Sequence, residues 1–364
     1  MIRRLYIDNY KCFSNFELRL DKLPCSMIIG ANGSGKSTVA EVLSLFAAIG
    51  RGNADINNIM PQHARSALKV ERSSSVITLE IEVGDATRTW QYSFCVEPEG
   101  IAYKIVSEKL TLGDTILFDR ARLHLSNTVL AMAVVSDETS ANRHIADFRA
   151  MLAAIYVLRP VPQMMGASVG IGAGHFLKAD ASNFVSWLPN VMAHDNNAYS
   201  AFREYLQCVF PDFANVAIGN TAVEGRTFTI GFRTGNADEF VSLSFDRLSD
   251  GEKCQFIAAS LIALNVHFES LTVFWDEPDN YITTSEVGYL LPALCNSFQK
   301  RGQLIVSSHS REAIVTFGEN EIISFRRANH YSPVRQPQTA QEMRASGLLK
   351  GSLDEALQNG DAVS

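Results

Sequence analysis

Three short stretches of this 364-residue chain carry residues of the types and spacing needed to handle a phosphate chain. Gly30-Ala31-Asn32-Gly33-Ser34-Gly35-Lys36-Ser37-Thr38 fits the pattern G-x-x-x-x-G-K-[ST]. Its three glycines allow the backbone to wrap so that N–H groups point inward at phosphate oxygens. Lys36 suits the β- and γ-phosphates of a nucleotide, and Ser37 suits a Mg²⁺ ion. Far downstream, Asp276 and Glu277 end the β-branched and aromatic run Leu271 to Trp275. One carboxylate there can fix Mg²⁺ through its water shell, and the second can polarise an attacking water. His309 follows another apolar run, Leu304-Ile305-Val306, and from that strand tip would sense a γ-phosphate. Two acids or one histidine after a strand are commonplace alone; the order along the chain is what promotes them.

The elements that must hold these groups are legible around them. Met27-Ile28-Ile29 reads as a strand entering Gly30, and Val39 to Phe46 leaves Thr38 with helical periodicity. The helix N-terminus adds partial positive charge where the phosphates would lie. Leu248-Ser249-Asp250-Gly251-Glu252-Lys253 precedes an apolar helix, Phe256 to Phe268, and by itself is an ordinary cap with Glu252 three residues after Ser249. Val76 to Ile81, Trp90 to Phe94 and Ile101 to Ile105 alternate like an antiparallel meander. The period then turns helical over Ile145 to Leu158, Asn183 to Met192 and Tyr199 to Val209. Met164 to His175, with glycines at 166, 170, 172 and 174, reads as a mobile loop. The expected organisation is a first lobe over 1–125, a helical insertion over 126–211, a second lobe over 212–330, and a polar tail over 331–364 with one weak helix, Leu353 to Leu357.

Beside a P-loop, the Leu248–Lys253 stretch resembles the signature motif of ABC-type ATPases. That resemblance implies that Ser249 and Gly251 close over ATP bound to a second head, so that ATP drives a homodimer. Lys36 and Ser249 lie 213 positions apart (249 − 36), which leaves room for a larger insertion than transporter subunits carry. The opening Met1-Ile2-Arg3-Arg4-Leu5-Tyr6-Ile7-Asp8-Asn9-Tyr10-Lys11-Cys12-Phe13 resembles the first hairpin of the SMC/RecF/OLD-like ATPases, and Glu277-Pro278-Asp279-Asn280 resembles the E-P-E-N of stand-alone OLD-like members. The fold implied is an α/β ABC-type ATPase head, a mixed sheet with an antiparallel meander and a parallel core, plus a short helical insertion without a long coiled-coil arm.

By the same resemblance Asn32, Gly33, Ser34, Gly35, Lys36, Ser37 and Thr38 bind nucleotide, Lys11 reaches its phosphates and Phe13 packs near the base. Ser37 and Asp276 hold Mg²⁺, while Glu277 and His309 are catalytic. Three departures stand out. Thr283 sits where an Asp or His is usual, Asp250 replaces a glycine, and no glutamine is convincing for the Q-loop, Gln62 and Gln91 being the candidates. Slow ATP turnover is expected.

Net charge is −7, which argues against broad, charge-driven coating of nucleic acid. A local basic surface in the first lobe (Arg3, Arg4, Lys11, Arg51, Arg65, Lys69, Arg72) and ordinary solvated arginines both fit the sequence. Six scattered cysteines show no C-x-x-C pair and suggest reduced core residues, as at Cys254 and Cys295. The chain has no long apolar run and no signal-peptide pattern, so a soluble, cytoplasmic protein away from membranes is expected. Only 55 residues follow His309 (364 − 309), without paired carboxylates, so a nuclease is expected on a separate chain. Three functions remain open. One is an OLD-like ATPase controlling a partner effector, a nuclease or toxin, in anti-phage defence. The second is a RecF-like DNA-maintenance ATPase clamping double-stranded DNA. The third is a slowly hydrolysing nucleotide-sensing scaffold.

Overall fold

The computed structural model describes residues 1–62, 75–85, 87–134, 143–169, 174–192, 196–221, 225–235, 239–268, 271–349 and 351. Arg65, Lys69, Arg72, Gly170, Gly172 and the expected helix Leu353 to Leu357 lie outside the described residues. In chain order the elements begin β1 (Ile2–Asp8), β2 (Phe16–Arg19), β3 (Cys25–Gly30), α1 (Lys36–Gly50) and α2 (Ile56–Ile59). Then come β4 (Ile77–Gly84), β5 (Thr89–Glu99), β6 (Ala102–Leu112), β7 (Thr115–Asp119), α3 (Ala131–Val134), α4 (Arg143–Ala153) and β8 (Ile155–Leu158). The next stretch holds α5 (Phe184–Met192), α6 (Asn196–Val209), β9 (Phe213–Thr221), β10 (Gly225–Arg233), β11 (Phe240–Ser244), α7 (Asp250–His267), β12 (Thr272–Asp276) and α8 (Thr284–Lys300). The chain closes with β13 (Gln303–Ser307), α9 (Arg311–Ile314), β14 (Ile322–Phe325), β15 (Gln338–Thr339) and α10 (Ala340–Ala345). Packing divides it into two compact units, Met1–Tyr156 with Ile305–Ser364, and Val157–Leu304.

In the first unit the expected meander forms within a six-stranded antiparallel sheet of order β2-β1-β4-β5-β6-β7. Alternation decides its faces: Ile77, Leu79 and Ile81 of β4 are buried while the intervening residues are not. Phe46 of α1 meets Tyr92 and Phe94 of β5 at 6.1 and 5.9 Å, and Tyr92 meets Phe148 of α4 at 5.9 Å. Tyr92 also donates to Glu108, a fully buried carboxylate that accepts from the backbone N–H groups of Ala131 (2.7 Å) and Met132 (2.8 Å). Arg120 lies 3.4 Å from that carboxylate. Beside this sheet's core, β14 runs parallel to β3 in the register Ile322↔Met27 to Phe325↔Gly30, and β15 pairs antiparallel with β14. Both β3 and β14 are buried along their length, as parallel strands covered on two faces require.

The helical reading of Ile145 to Leu158 needs correction. The helix stops at Ala153, and Ile155-Tyr156-Val157-Leu158 forms β8. Two causes are visible. Arg51 donates to the carbonyls of Ala153 (3.2 Å) and Ile155 (2.6 Å), closing the helix end. The run beyond it is β-branched and aromatic and fits a buried strand better. Within the described part of the polar tail, residues 331–349, regular elements also form. Gln338–Thr339 joins a sheet edge, and Thr339 caps α10 through a reciprocal pair with Glu342.

In the second unit α7 is the central helix. Its Phe256 lies 5.6 Å from Phe245, 6.0 Å from both Phe202 and Phe213, and 6.2 Å from Phe210, so α6 and the start of β9 collapse onto it. β9, β10 and β11 form a three-stranded antiparallel sheet. β12 is buried at every position and delivers Asp276 at its end. Cys254 and Cys295 are buried cysteines, and burial pushes the Cys254 thiol up to about 12, consistent with an inert core residue.

Candidate nucleotide site

In the first unit β3 hands the chain to the glycine-rich loop at Gly30, and only glycine fits there. A Cβ would stand 2.5 Å from the Phe325 carbonyl oxygen of the adjacent parallel strand. At Gly35, with φ of 105°, a Cβ would meet the Phe13 ring at 2.7 Å. α1 then begins at Lys36 with no side-chain cap and no acid in its first turn. Its leading N–H groups and dipole are therefore presented to the loop, the arrangement an anion requires. Lys36 is buried, and its Nζ donates to the carbonyls of Gly30 (2.6 Å) and Ala31 (3.3 Å), across the mouth of the loop. Asn32, Gly33 and Ser37 are exposed, and Thr38 is half-buried. Ser34 is buried, and its Oγ has no hydrogen-bond partner among the described residues. A cradle with an uncapped helix start, a lysine folded over it and no room for a Cβ at its entrance fits a phosphate chain.

The N-terminal hairpin packs against this loop. Lys11, with φ of 47°, ion-pairs with Glu41 of α1, and Tyr10 donates its hydroxyl to the same carboxylate. Burial, followed by the Glu41 hydrogen bond, holds the Tyr10 phenol far above its ordinary range. Cys12 Sγ lies 3.9 Å from Thr38 Oγ1, and burial raises its thiol too. Phe13 is fully buried, stacked on Phe16 at 4.1 Å, so it supports the loop from beneath. His309 stands exposed two residues after β13, between buried Ser308 and Ser310, which caps α9.

In the second unit Ser249 caps α7. Its Oγ accepts from Glu252 N (3.3 Å) and donates to Glu252 Oε2 (2.8 Å), and its own N–H donates to that carboxylate at 2.7 Å. Gly251 packs against the turn after β12, where a Cβ would come within 3.0 Å of the Tyr281 carbonyl. Asp276 is buried at the strand tip, and Glu277 follows in the left-handed region with φ of 52°. A non-glycine residue held there is strained and is a common mark of functional positions. Asn280 Nδ2 donates to Glu277 Oε2 at 2.8 Å, which orients the carboxylate. Thr283 caps α8 in a reciprocal pair with Glu286, a structural role for the residue where Asp or His is usual.

Several residues escaped the sequence reading. Gln62 and Gln91 are exposed, the latter on β5. Gln163, which follows β8, instead donates to Asp250, and Lys253 Nζ donates to the Pro162 carbonyl at 3.1 Å. Arg327, just past β14, donates to the Gly33 carbonyl at 3.1 Å. The signal available for it was a pair of arginines directly after an apolar strand. The described residues of the postulated basic surface are occupied within the molecule. Arg4 pairs with Glu17 and Glu80, Arg3 bonds Thr89, Lys11 pairs with Glu41, and Arg51 bonds backbone carbonyls.

Residues 1–109 match the AAA ATPase domain family. By structure, the chain is similar to an Smc head bound to the C-winged helix domain of ScpA, with a TM-score of 0.60 at 15% identity over 93% of this chain and 98% of that one. A head domain with an extended coiled coil, bound to the C-terminal domain of ScpA derived from Pyrococcus furiosus, gives 0.55 at 14% identity over 95% and 98%. The fold is that of an SMC head. In sequence the chain is similar to the DNA replication and repair protein RecF of Rickettsia bellii, 34% identical over 99 residues, and of Rickettsia canadensis, 31% identical over 99. Each match takes in 25% of the chain, and the chain spans about a quarter (27%) of the length of those relatives. Among the described residues no helix is long and apolar enough to cross a membrane.

Proposed function

We propose that the chain binds and slowly hydrolyses ATP·Mg²⁺ and that two copies close head to head around it. The observation carrying this reading is the cradle itself, with Lys36 folded over an uncapped α1 and glycine required at its entrance. In this reading Asn32 to Thr38 bind the nucleotide, and Ser37 and Asp276 hold the metal. Bound Mg²⁺ would neutralise phosphate charge and fix the phosphate geometry. Glu277, held by Asn280, orients a water and accepts its proton, while His309 senses the terminal phosphate. Lys11 reaches the phosphates by exchanging Glu41 for them. Ser249 and Gly251 seal the nucleotide of the second copy, and for this Ser249 turns its hydroxyl away from Glu252. Gln163 takes the place that Gln62 and Gln91 do not fill.

The favoured use of this cycle is control of a separate effector such as a nuclease, in anti-phage defence. Supporting it are the Glu277–Asn280 motif, the net charge of −7, and the internal pairing of the described first-lobe cations. A RecF-like role on double-stranded DNA is the second reading, favoured by the similarity to RecF over 99 residues. The deciding experiment is the solution mass of the Glu277→Gln protein with and without ATP·Mg²⁺ and duplex DNA. Doubling with ATP alone supports the effector reading, and doubling only with DNA moves the clamp to first place. A monomer under saturating ATP in both settings sinks the head-to-head model.

A further inference from the structure

The segment after β14 bears on the loop in a way that the sequence motifs do not assign. Arg327 is half-buried and directs its guanidinium at three backbone carbonyls, through Nε to Ser332 (2.8 Å), Nη1 to Gly33 (3.1 Å) and Nη2 to His330. The turn between them is closed by Asn329 Oδ1, which accepts from the N–H groups of Tyr331 and Ser332, both at 2.9 Å. Farther along, Val334 N donates to the Cys12 carbonyl at 3.0 Å, and Gln336 Oε1 accepts from Glu17 N at 3.0 Å. One connection, Arg327 to Gln336, thus holds both the phosphate loop and the hairpin packed against it.

The Gly33–Ser34 peptide is one point at which the loop needs restraint. Gly33 has φ of 78°, a conformation that glycine enters and leaves at little cost. A planar trans peptide points its carbonyl and N–H in opposite directions, so fixing one end aims the other. Here both ends are fixed, with Ser34 N donating to the Ala31 carbonyl at 3.1 Å and Arg327 drawing the Gly33 carbonyl outward. We propose that Arg327 is a positioning residue that pre-forms the phosphate cradle from outside, so that the loop is ordered before the nucleotide arrives. The inference rests on the nucleotide-binding reading of this loop. Ordering a loop in advance removes an entropic cost from binding, and a planar fork with several donors can bridge separate carbonyls where a lysine cannot.

The test uses the full chain with Arg327→Ala and Arg327→Lys, beside Lys36→Ala. The affinity for ATP·Mg²⁺ is measured by displacement of a fluorescent ATP analogue, with inorganic tripolyphosphate as a competitor that reports the cradle without the base. The thermal midpoint is recorded without nucleotide. Arg327→Ala is expected to weaken both ligands by about tenfold, and Arg327→Lys by about threefold, because each loses pre-ordering of the same loop. The nucleotide-free midpoint should move by no more than about 2 °C. Wild-type affinity for tripolyphosphate in either variant overturns the proposal, as does a weakening confined to ATP. If Arg327→Ala does not fold, Arg327→Lys decides alone, threefold loss supporting and wild-type affinity overturning. Failure of the underlying reading looks different. There, Lys36→Ala binds ATP as the wild type does, or the wild type binds none, and both ideas fall together.

Discussion

Lys36 donates its Nζ to the carbonyls of Gly30 and Ala31, which holds its positive charge over the loop where the proposed phosphates lie. Lys36→Ala is therefore expected to abolish ATP binding while leaving the fold intact, and equilibrium binding beside a thermal melt checks both. Gly30 behaves differently, because its constraint is steric and independent of nucleotide. Gly30→Ala forces a Cβ against the Phe325 carbonyl at 2.5 Å, which must part β3 from β14 or tilt the loop. A loss of about 1–3 kcal/mol in urea unfolding, together with weakened ATP binding, is the expected result. Glu277 holds an unfavourable φ with its carboxylate oriented by Asn280, a strained geometry that supports its proposed role with the attacking water.

Among the elements, the meander is held to the start of α3 by one carboxylate. Glu108 takes donors on both oxygens, from Tyr92 and Met132 on Oε1 and from Ala131 and Arg120 on Oε2. Glu108→Gln turns an NH₂ group toward donors, and a loss of about 2–4 kcal/mol is expected from denaturant unfolding. Burial raises the Glu108 carboxyl above its ordinary value, the opposing hydrogen bonds and Arg120 notwithstanding. Its folded form therefore binds its proton more tightly than its unfolded form. That stabilisation is full below the unfolded value and is lost as pH rises through the folded one. The variant should flatten this part of the stability–pH curve. Strand and helix identity were readable wherever periodicity ran unbroken, as in β4 and α6. Reading failed at Ala153, because the helix end there is imposed by Arg51, about a hundred residues earlier in the chain (153 − 51 = 102).

For the whole molecule, the composite-site reading makes turnover a property of two copies. Glu277→Gln is expected to double in mass with ATP·Mg²⁺, as measured by light scattering. If duplex DNA stimulates the ATPase, the two functional readings separate by salt. A clamp gripping several phosphates loses affinity steeply between about 50 and 200 mM salt, whereas an effector-controlling head shows a shallow slope in the same titration. The net charge of −7 and the paired state of Arg3, Arg4, Lys11 and Arg51 favour the shallow slope.

The glycine-rich loop between a strand and a helix, the strand ending in Asp276, the helix capped by Ser249 and the mixed α/β class were all legible from the residues alone. Each of these depends on residues close together in the chain, whose spacing and periodicity encode local geometry. What surrounds them follows from the three-dimensional packing. It engaged Lys11 with Glu41, buried Phe13 beneath Gly35, set Gln163 on Asp250, and brought Arg327 from nearly three hundred positions away (327 − 33 = 294) to the Gly33 carbonyl. Those contacts come from strand pairing and packing between distant segments, above all β14 lying parallel to β3, and no local pattern carries that information.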